Sequence, residues 1–414
     1  MFSRLYEKGE NQMKPLSTSL TMLAVLAGSL ASWTVQAAEP AAKEKPRPAA
    51  SVPGSKPKPA DASAPKIQLA ILLDTSGSMN GLINQARTQL WKIVNELATA
   101  KQNGRSPELE VALYEYGKSS ISKDEGYLRQ IVALTDDLDA ISEELFALKT
   151  NGGQEYCGQV IQAATGGLQW SKGDNDLKLI FIAGNEAFTQ GTVNYKQACS
   201  AAIAKGITVN TIFCGPQAEG IRTGWQDGAS LADGSFVSID QNRQVAAIKT
   251  PFDKKLAELS GKVNETFVFF GRRADRQRLV KRQLAQDKAA AKSAPAAAAE
   301  RASFKGKKQY RSNADLVDAV TSGKVKLKDV KEEDLPEELK KLSAKKRVEY
   351  IAGKQKERSV IQIEIAKLSK QRKAYIADER RKESKSEKND TLDGAIIESI
   401  RKQAGKKKFE FEKE

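Results

Sequence analysis

The stretch from Ile67 to Ser78 restricts the fold of this chain most. An apolar run, Ile67 to Leu73 (IQLAILL), ends in Asp74-Thr75-Ser76-Gly77-Ser78. Such a run bounded by turn chemistry is the pattern of a strand buried on both faces. Side chains two apart in an extended segment face the same way, so Asp74, Ser76 and Ser78 can aim one carboxylate and two hydroxyls at one point. Hard oxygen donors of this kind suit Mg²⁺, Mn²⁺ or Ca²⁺ better than zinc. Asp and Ser also build turns and helix caps, so the pentapeptide alone leaves a structural role open.

Behind the loop, Leu82, Ile83, Ala86, Leu90, Ile93, Val94 and Leu97 fall on one face at the helical period. Strand, Asp-x-Ser-x-Ser and amphipathic helix together resemble the start of a von Willebrand factor type A domain. That resemblance covers about residues 66–271 and implies a doubly wound, mostly parallel α/β sheet with a metal-ion-dependent adhesion site. The rest of the stretch agrees with alternating strands and helices. Strands are expected over 109–116, 128–134, 177–183, 207–214 and, at an edge, 235–239. Helices are expected over 138–148, 159–170, 195–205 and 252–259.

The family takes further ligands from a Gly-Gly-Thr-like loop and a Thr-Asp-Gly loop. Here Gly152-Gly153 is followed by Gln154-Glu155, and the strand Leu177 to Ala183 by Gly184-Asn185-Glu186, where the family's aspartate position falls on Gly184 or Asn185. The resemblance therefore implies a variant site of Asp74, Ser76 and Ser78, completed or tuned by Glu155, with Glu186 in reserve. The alternative for Glu155 is a cap on the helix that follows. The cofactor implied is a divalent cation, Mg²⁺ first, with Ca²⁺ or Mn²⁺ as substitutes, and the partner a protein presenting a carboxylate. Tyr156 and Phe188 beside these loops are expected as a partner-binding rim or as core.

Composition narrows the chemistry. The 414 residues contain no histidine, which removes Ser-His-Asp and Cys-His catalysis, HExxH metalloprotease chemistry and His-ligated zinc. The expected function is therefore binding without turnover. A Mg²⁺-dependent, enzyme-coupled subunit and a metal-free scaffold stand as rivals. Cys157, Cys199 and Cys214 lack CxxC spacing. In an oxidising compartment they imply one disulfide and one leftover thiol. The sequence does not fix the pair, and Cys199 with Cys214 is favoured because a helix packs on the strand it feeds.

At the N-terminus, Lys14, the apolar run Leu20 to Leu30 and Val35-Gln36-Ala37-Ala38 describe a signal peptide over 1–37, cut after Ala37. The protein is then expected in the periplasm or secreted, without a transmembrane helix. An uncleaved N-terminal anchor is the alternative. Residues 38–65, rich in Pro, Ala and Lys, read as a tether.

The net charge of +15 points to acidic partners in general. After the type A segment, 272–310 reads as a basic, Ala-rich linker and 311–414 as a basic helical region. Ile361, Ile365, Leu368 and Tyr375 in that region are spaced as in a coiled-coil seam. An acidic envelope polymer or anionic lipid is the partner such a region could take, with a solvated amphipathic helix that binds neither as the alternative. Nucleic acid is not expected, because aromatics are too sparse to stack bases.

Overall fold

The computed structural model describes residues 64–242, 248–382 and 391–411, which belong to one compact unit. The signal peptide expected over 1–37, and the tether apart from residues 64 and 65, lie outside the described residues.

Six strands form the main sheet: β1 (Lys66–Asp74), β3 (Glu108–Tyr116), β4 (Leu128–Thr135), β5 (Leu177–Gly184), β6 (Thr208–Cys214) and β7 (Phe236–Ile239). Their order is β4-β3-β1-β5-β6-β7, and only the edge strand β4 runs antiparallel. A second, two-stranded sheet joins β2 (Lys101–Gln102) to β8 (Phe409–Glu410). The apolar runs are buried on both faces, as expected. Ile67, Leu69, Ile71 and Leu73 enter one core, while Ala70 and Leu72 enter the other. Helices α1 (Asn80–Leu97), α2 (Leu138–Ala147) and α7 (Asp253–Asn264) cover the first face, and α3 (Cys157–Gly167), α4 (Tyr195–Ala204) and α6 (Trp225–Leu231) the second. The short α5 (Gln217–Arg222) precedes α6. Strand order reverses at β1, between β3 and β5, so ligands are expected where the carboxyl ends of β1 and β5 meet.

The region past residue 271 departs from expectation. Residues 272–310 are mostly two helices, α8 (Arg273–Ser293) and α9 (Pro295–Lys305), where a linker was expected. Ala290, Ala299, Ala302 and Phe304 join the core that contains α1. Small side chains let helix backbones approach closely, which is what the alanine-rich composition provides. Helix α10 (Leu316–Thr321) and α11 (Glu337–Lys340) enclose a smaller cluster of Val268, Leu316, Val317, Leu335, Leu339 and Ile351.

Helix α12 (Ala344–Lys382) does not show the coiled coil expected. Ile361 and Ile365 are buried against the chain's own core, and Tyr375 meets Phe252 edge-on. Val348, earlier in the same helix, is 59% exposed. Helix α13 (Leu392–Lys406) then lays Leu392, Ala395, Ile396, Ile400 and Ala404 into the core beside α1.

Three arginines fasten this helical layer. Arg301 is fully buried over the Trp91 ring, 4.7 Å from its centroid, and binds Asp139 and Asp287 at 2.5 and 2.6 Å. Arg358 binds Asp315 and Asp318 at 2.9 and 2.8 Å. Arg372 binds Asp253 and Glu300 at 2.8 and 2.6 Å. Buried cations satisfied on both sides tolerate removal from water; lone ones do not.

The expected disulfide is absent: all three cysteines are free and buried. Cys199 lies in the core on one face of the sheet and Cys214 in the core on the other. The sheet itself therefore separates the pair, and a bond would need the two sulfurs to meet through it.

Candidate cation site

Strand β1 delivers Asp74 to the switch point, fully buried. The turn that follows is pinned to β3, with the Thr75 amide donating to the Tyr116 carbonyl at 2.8 Å. The Ser76 amide donates to Asp74 Oδ1 at 2.7 Å. The hydroxyls of Ser76 and Ser78 lie 3.2 Å apart, and Ser78 donates to Asn185 Oδ1 at 3.4 Å. Helix α1 begins without a side-chain cap, so neither serine serves as one. The three predicted residues of the first loop converge.

Glu155 joins them. A Cβ placed on Gly117 would stand 2.7 Å from Asp74 Oδ1 and 2.9 Å from Glu155 Cγ, so both carboxylate side chains close over that glycine. Gly117 has φ +80°, which suits glycine on conformational grounds as well. On the other side, a Cβ on Gly184 would come within 3.0 Å of Asp74 Oδ2 and 2.5 Å of the Tyr116 hydroxyl. A side chain at 184 would displace the aspartate. Helix α3 begins at Cys157 without a side-chain cap hydrogen bond, so Glu155 is not tied up in capping it.

The electrostatics follow from the geometry. Burial, with the charges of Glu155 and Glu186 added, pushes Asp74 up to about 8, against the pull of the Ser76 hydrogen bonds. Burial, then Glu186, raises Glu155 to about 7. Asp74 Oδ2 is buried with no hydrogen-bond partner. A carboxylate oxygen left so costs its full desolvation penalty unless a proton or a cation meets it. Two carboxylates and two hydroxyls around such an oxygen are donors of the type hard cations take. Among the described residues no three of His, Cys, Asp and Glu gather closely enough to hold a metal by themselves, so the hydroxyls are integral to any such set.

Other predicted residues are placed differently. Glu186 is exposed at the mouth, its Oε2 3.5 Å from Gln190 Nε2. It lines a cleft of about 410 Å³ with Gly153, Gln154, Glu155, Gln190 and Gly191. Phe188 forms no rim. It is fully buried, with ring centroids 4.8 Å from Trp225 and 5.2 Å from Tyr195. Tyr156 is also buried, edge-on to Tyr127, and its hydroxyl donates to Gln154 Oε1 at 2.9 Å. Sequence reasoning did not single out Gly117 or Tyr116. A glycine closing the strand beside an Asp-x-Ser-x-Ser loop was the available signal. Asn185, in the third loop, supplies a neutral amide oxygen toward Ser78.

A doubly wound sheet in this order, with one antiparallel edge and Asp74-x-Ser76-x-Ser78 at the end of its central strand, defines a von Willebrand factor type A-like fold. No protein-family profile and no curated protein matches the sequence. Among solved structures the chain is similar to the SpRpn10 VWA domain, at 16% identity and TM-score 0.33, over 44% of this chain and 100% of that one. It is similar to BatB from Bacteroides thetaiotaomicron, at 16% identity and TM-score 0.32, over 42% and 90%. It is also similar to proximal thread matrix protein 1 from the mussel byssus, solved with a zinc-occupied MIDAS motif, at 13% identity and TM-score 0.32. That alignment spans 42% of each chain, less than half the length of the mussel protein. Scores of this size carry no weight for function, and the fold assignment rests on strand order, direction and loop position.

Proposed function

We propose that this chain is a protein-binding module that acts without turnover, through a divalent cation held by Asp74, Ser76, Ser78 and Glu155. The observation that carries the reading is the unpartnered, buried Asp74 Oδ2 beside Glu155 in a loop of hydroxyls. When bound, the cation supplies positive charge to two carboxylates and an open position for a carboxylate of a protein partner. Mg²⁺ is the cation first expected, and Glu186 at the cleft mouth adds charge without joining the inner set.

Binding is favoured over catalysis by what the side chains can do. Burial raises all three thiols, Cys157 and Cys214 well above the ordinary range and Cys199 to about 12, so none is a ready nucleophile. The sequence offers no imidazole base. Export to the cell envelope is part of the proposal and is supported by the basic, apolar and small-residue order of the first 38 residues.

A metal-free scaffold acting through its helical region is the second reading, favoured by the neutral Asn185 in the third loop. Thermal unfolding with Mg²⁺, Ca²⁺ and Mn²⁺ separates the two. The cation reading expects a higher melting temperature with at least one ion and loss of that shift in Asp74→Ala. No shift with any of the three leaves the scaffold. A pull-down from envelope extract with and without EDTA then tests whether the partner depends on the ion.

A further inference from the structure

The positive charge of this protein is unevenly placed. Residues 66–271 carry 19 Lys and Arg against 23 Asp and Glu, whereas residues 272–414 carry 40 against 24. Helix α12 divides its own cations by chemistry. Those turned inward, Arg358 and Arg372, are each held by two carboxylates. Lys345, Lys356 and Lys367 are exposed, and none of them forms an ion pair among the described residues. They stand eleven residues apart, three helical turns, so they form one nearly straight row.

Aliphatic side chains share that outward side. Val348, Val360 and Ile363 are 59, 59 and 71% exposed, the highest among the large exposed hydrophobics of the described residues. At 100° per residue Ile363 falls on the lysine row, with Val348 and Val360 about 60° to either side of it. Inside the described chain nothing covers this face.

We infer that the outward face of α12 docks on the surface of an anionic phospholipid bilayer. Charge complementarity selects an anionic partner. The aliphatic residues then select a bilayer over a soluble polyanion. Lysine stems and aliphatic side chains together enter the headgroup boundary, whereas a polyanion pairs with the ammonium groups and leaves the aliphatics in water. Helix α12 meets the bilayer at its surface; no described helix is long and apolar enough to cross a membrane. A helix of 39 residues lying flat offers ~58 Å of contact.

The test is flotation of the full chain with phosphatidylcholine vesicles, with and without phosphatidylglycerol, at low and high salt. Three proteins are compared: wild type, Lys345→Ala/Lys356→Ala/Lys367→Ala, and Ile363→Ser. All four positions are exposed, and unchanged melting temperatures confirm intact folds. Wild type is expected to float with anionic vesicles and not with neutral ones, and to lose binding at high salt. The triple variant should bind ~100-fold more weakly, from ~1 kcal/mol per lysine near the surface. Ile363→Ser should bind ~5-fold more weakly at unchanged charge. Absence of flotation with anionic vesicles overturns the inference, as does binding that neither variant alters. Binding that falls in the triple variant, is unchanged in Ile363→Ser and is competed fully by soluble polyphosphate also overturns it, in favour of a polymer ligand.

Discussion

Asp74 and Asp287 are both carboxylates largely withdrawn from water, and they end in opposite states. Burial alone would raise Asp287, but Lys305 at 2.6 Å and Arg301 at 2.6 Å outweigh it and hold its pKa below the ordinary value. At Asp74 the nearest charges are other carboxylates, and the group is pushed up to about 8. The helical layer supplies its own cations, and at the loop end of the sheet Lys118 and Arg129 pair with Glu115, whereas Asp74 and Glu155 have no cation partner among the described residues. The first arrangement is complete as folded, and the second is completed by something added. The same physics also fixes the direction of each mutational effect.

The largest effect is expected where the chain balances itself. Arg301→Ala leaves Asp139 and Asp287 buried with one cation fewer and empties the contact over Trp91. Removing one partner of a buried pair costs ~3–5 kcal/mol, readable as a lower urea midpoint. A loss below ~1 kcal/mol would break the comparison, since it would make these pairs equivalent to surface ones.

Next comes the unbalanced side. One-site linkage gives ~2.7 kcal/mol of stabilisation at a hundredfold excess of cation over its dissociation constant. Asp74→Asn should abolish that gain and leave the cation-free protein at least as stable as wild type, opposite in sign to Arg301→Ala. The pH dependence follows the same logic. Asp74 and Glu155 hold protons more tightly folded than unfolded, with folded values of about 8 and about 7. Between the ordinary carboxylate range and about pH 8, cation-free stability should therefore fall as pH rises. The cation replaces those protons, so its stabilising effect should grow over the same window. Melting curves at several pH values, with Mg²⁺ or EDTA, check both signs.

Glu155→Ala sharpens the contrast at one residue. As a ligand its loss should weaken cation binding more than tenfold, ~1.4 kcal/mol, by titration calorimetry. Glu155→Thr should fold normally and also bind more weakly than wild type, because Asn185 brings no compensating charge. The smallest perturbation is chemical: thiol counting under denaturing conditions should return three free cysteines, in line with the free, buried state of all three.

What was legible follows from which signals are local. Ile67–Leu73 and Leu177–Ala183 are long apolar runs whose parity and ending residues suffice to place them at the sheet centre. Asp74, Ser76 and Ser78 converge because the chain there is extended, a property of two-residue spacing. The helical layer was hidden because arginine looks alike in sequence whether it is solvated or, like Arg301, Arg358 and Arg372, clamped between carboxylates. Its alanines read as low complexity until partner helices lie against them. Phe188 was ambiguous for a related reason, since an aromatic next to a functional loop can face either way, and Trp225 decides it from 37 positions along the chain. The cysteine pairing failed on parity: the strand carries Cys214 to the face opposite α4.

The packing of α13 against α1 has a temporal side. The Leu392 amide donates to Gln85 Oε1, a contact spanning 307 residues, and Gln102 pairs with Phe409 across the small second sheet. During synthesis, the apolar face of α1 is made early and its cover arrives only after residue 392 has been polymerised. Contacts this distant are slow to close and leave apolar surface open meanwhile. The part of α1 that α13 covers therefore stays open until the last residues are in place.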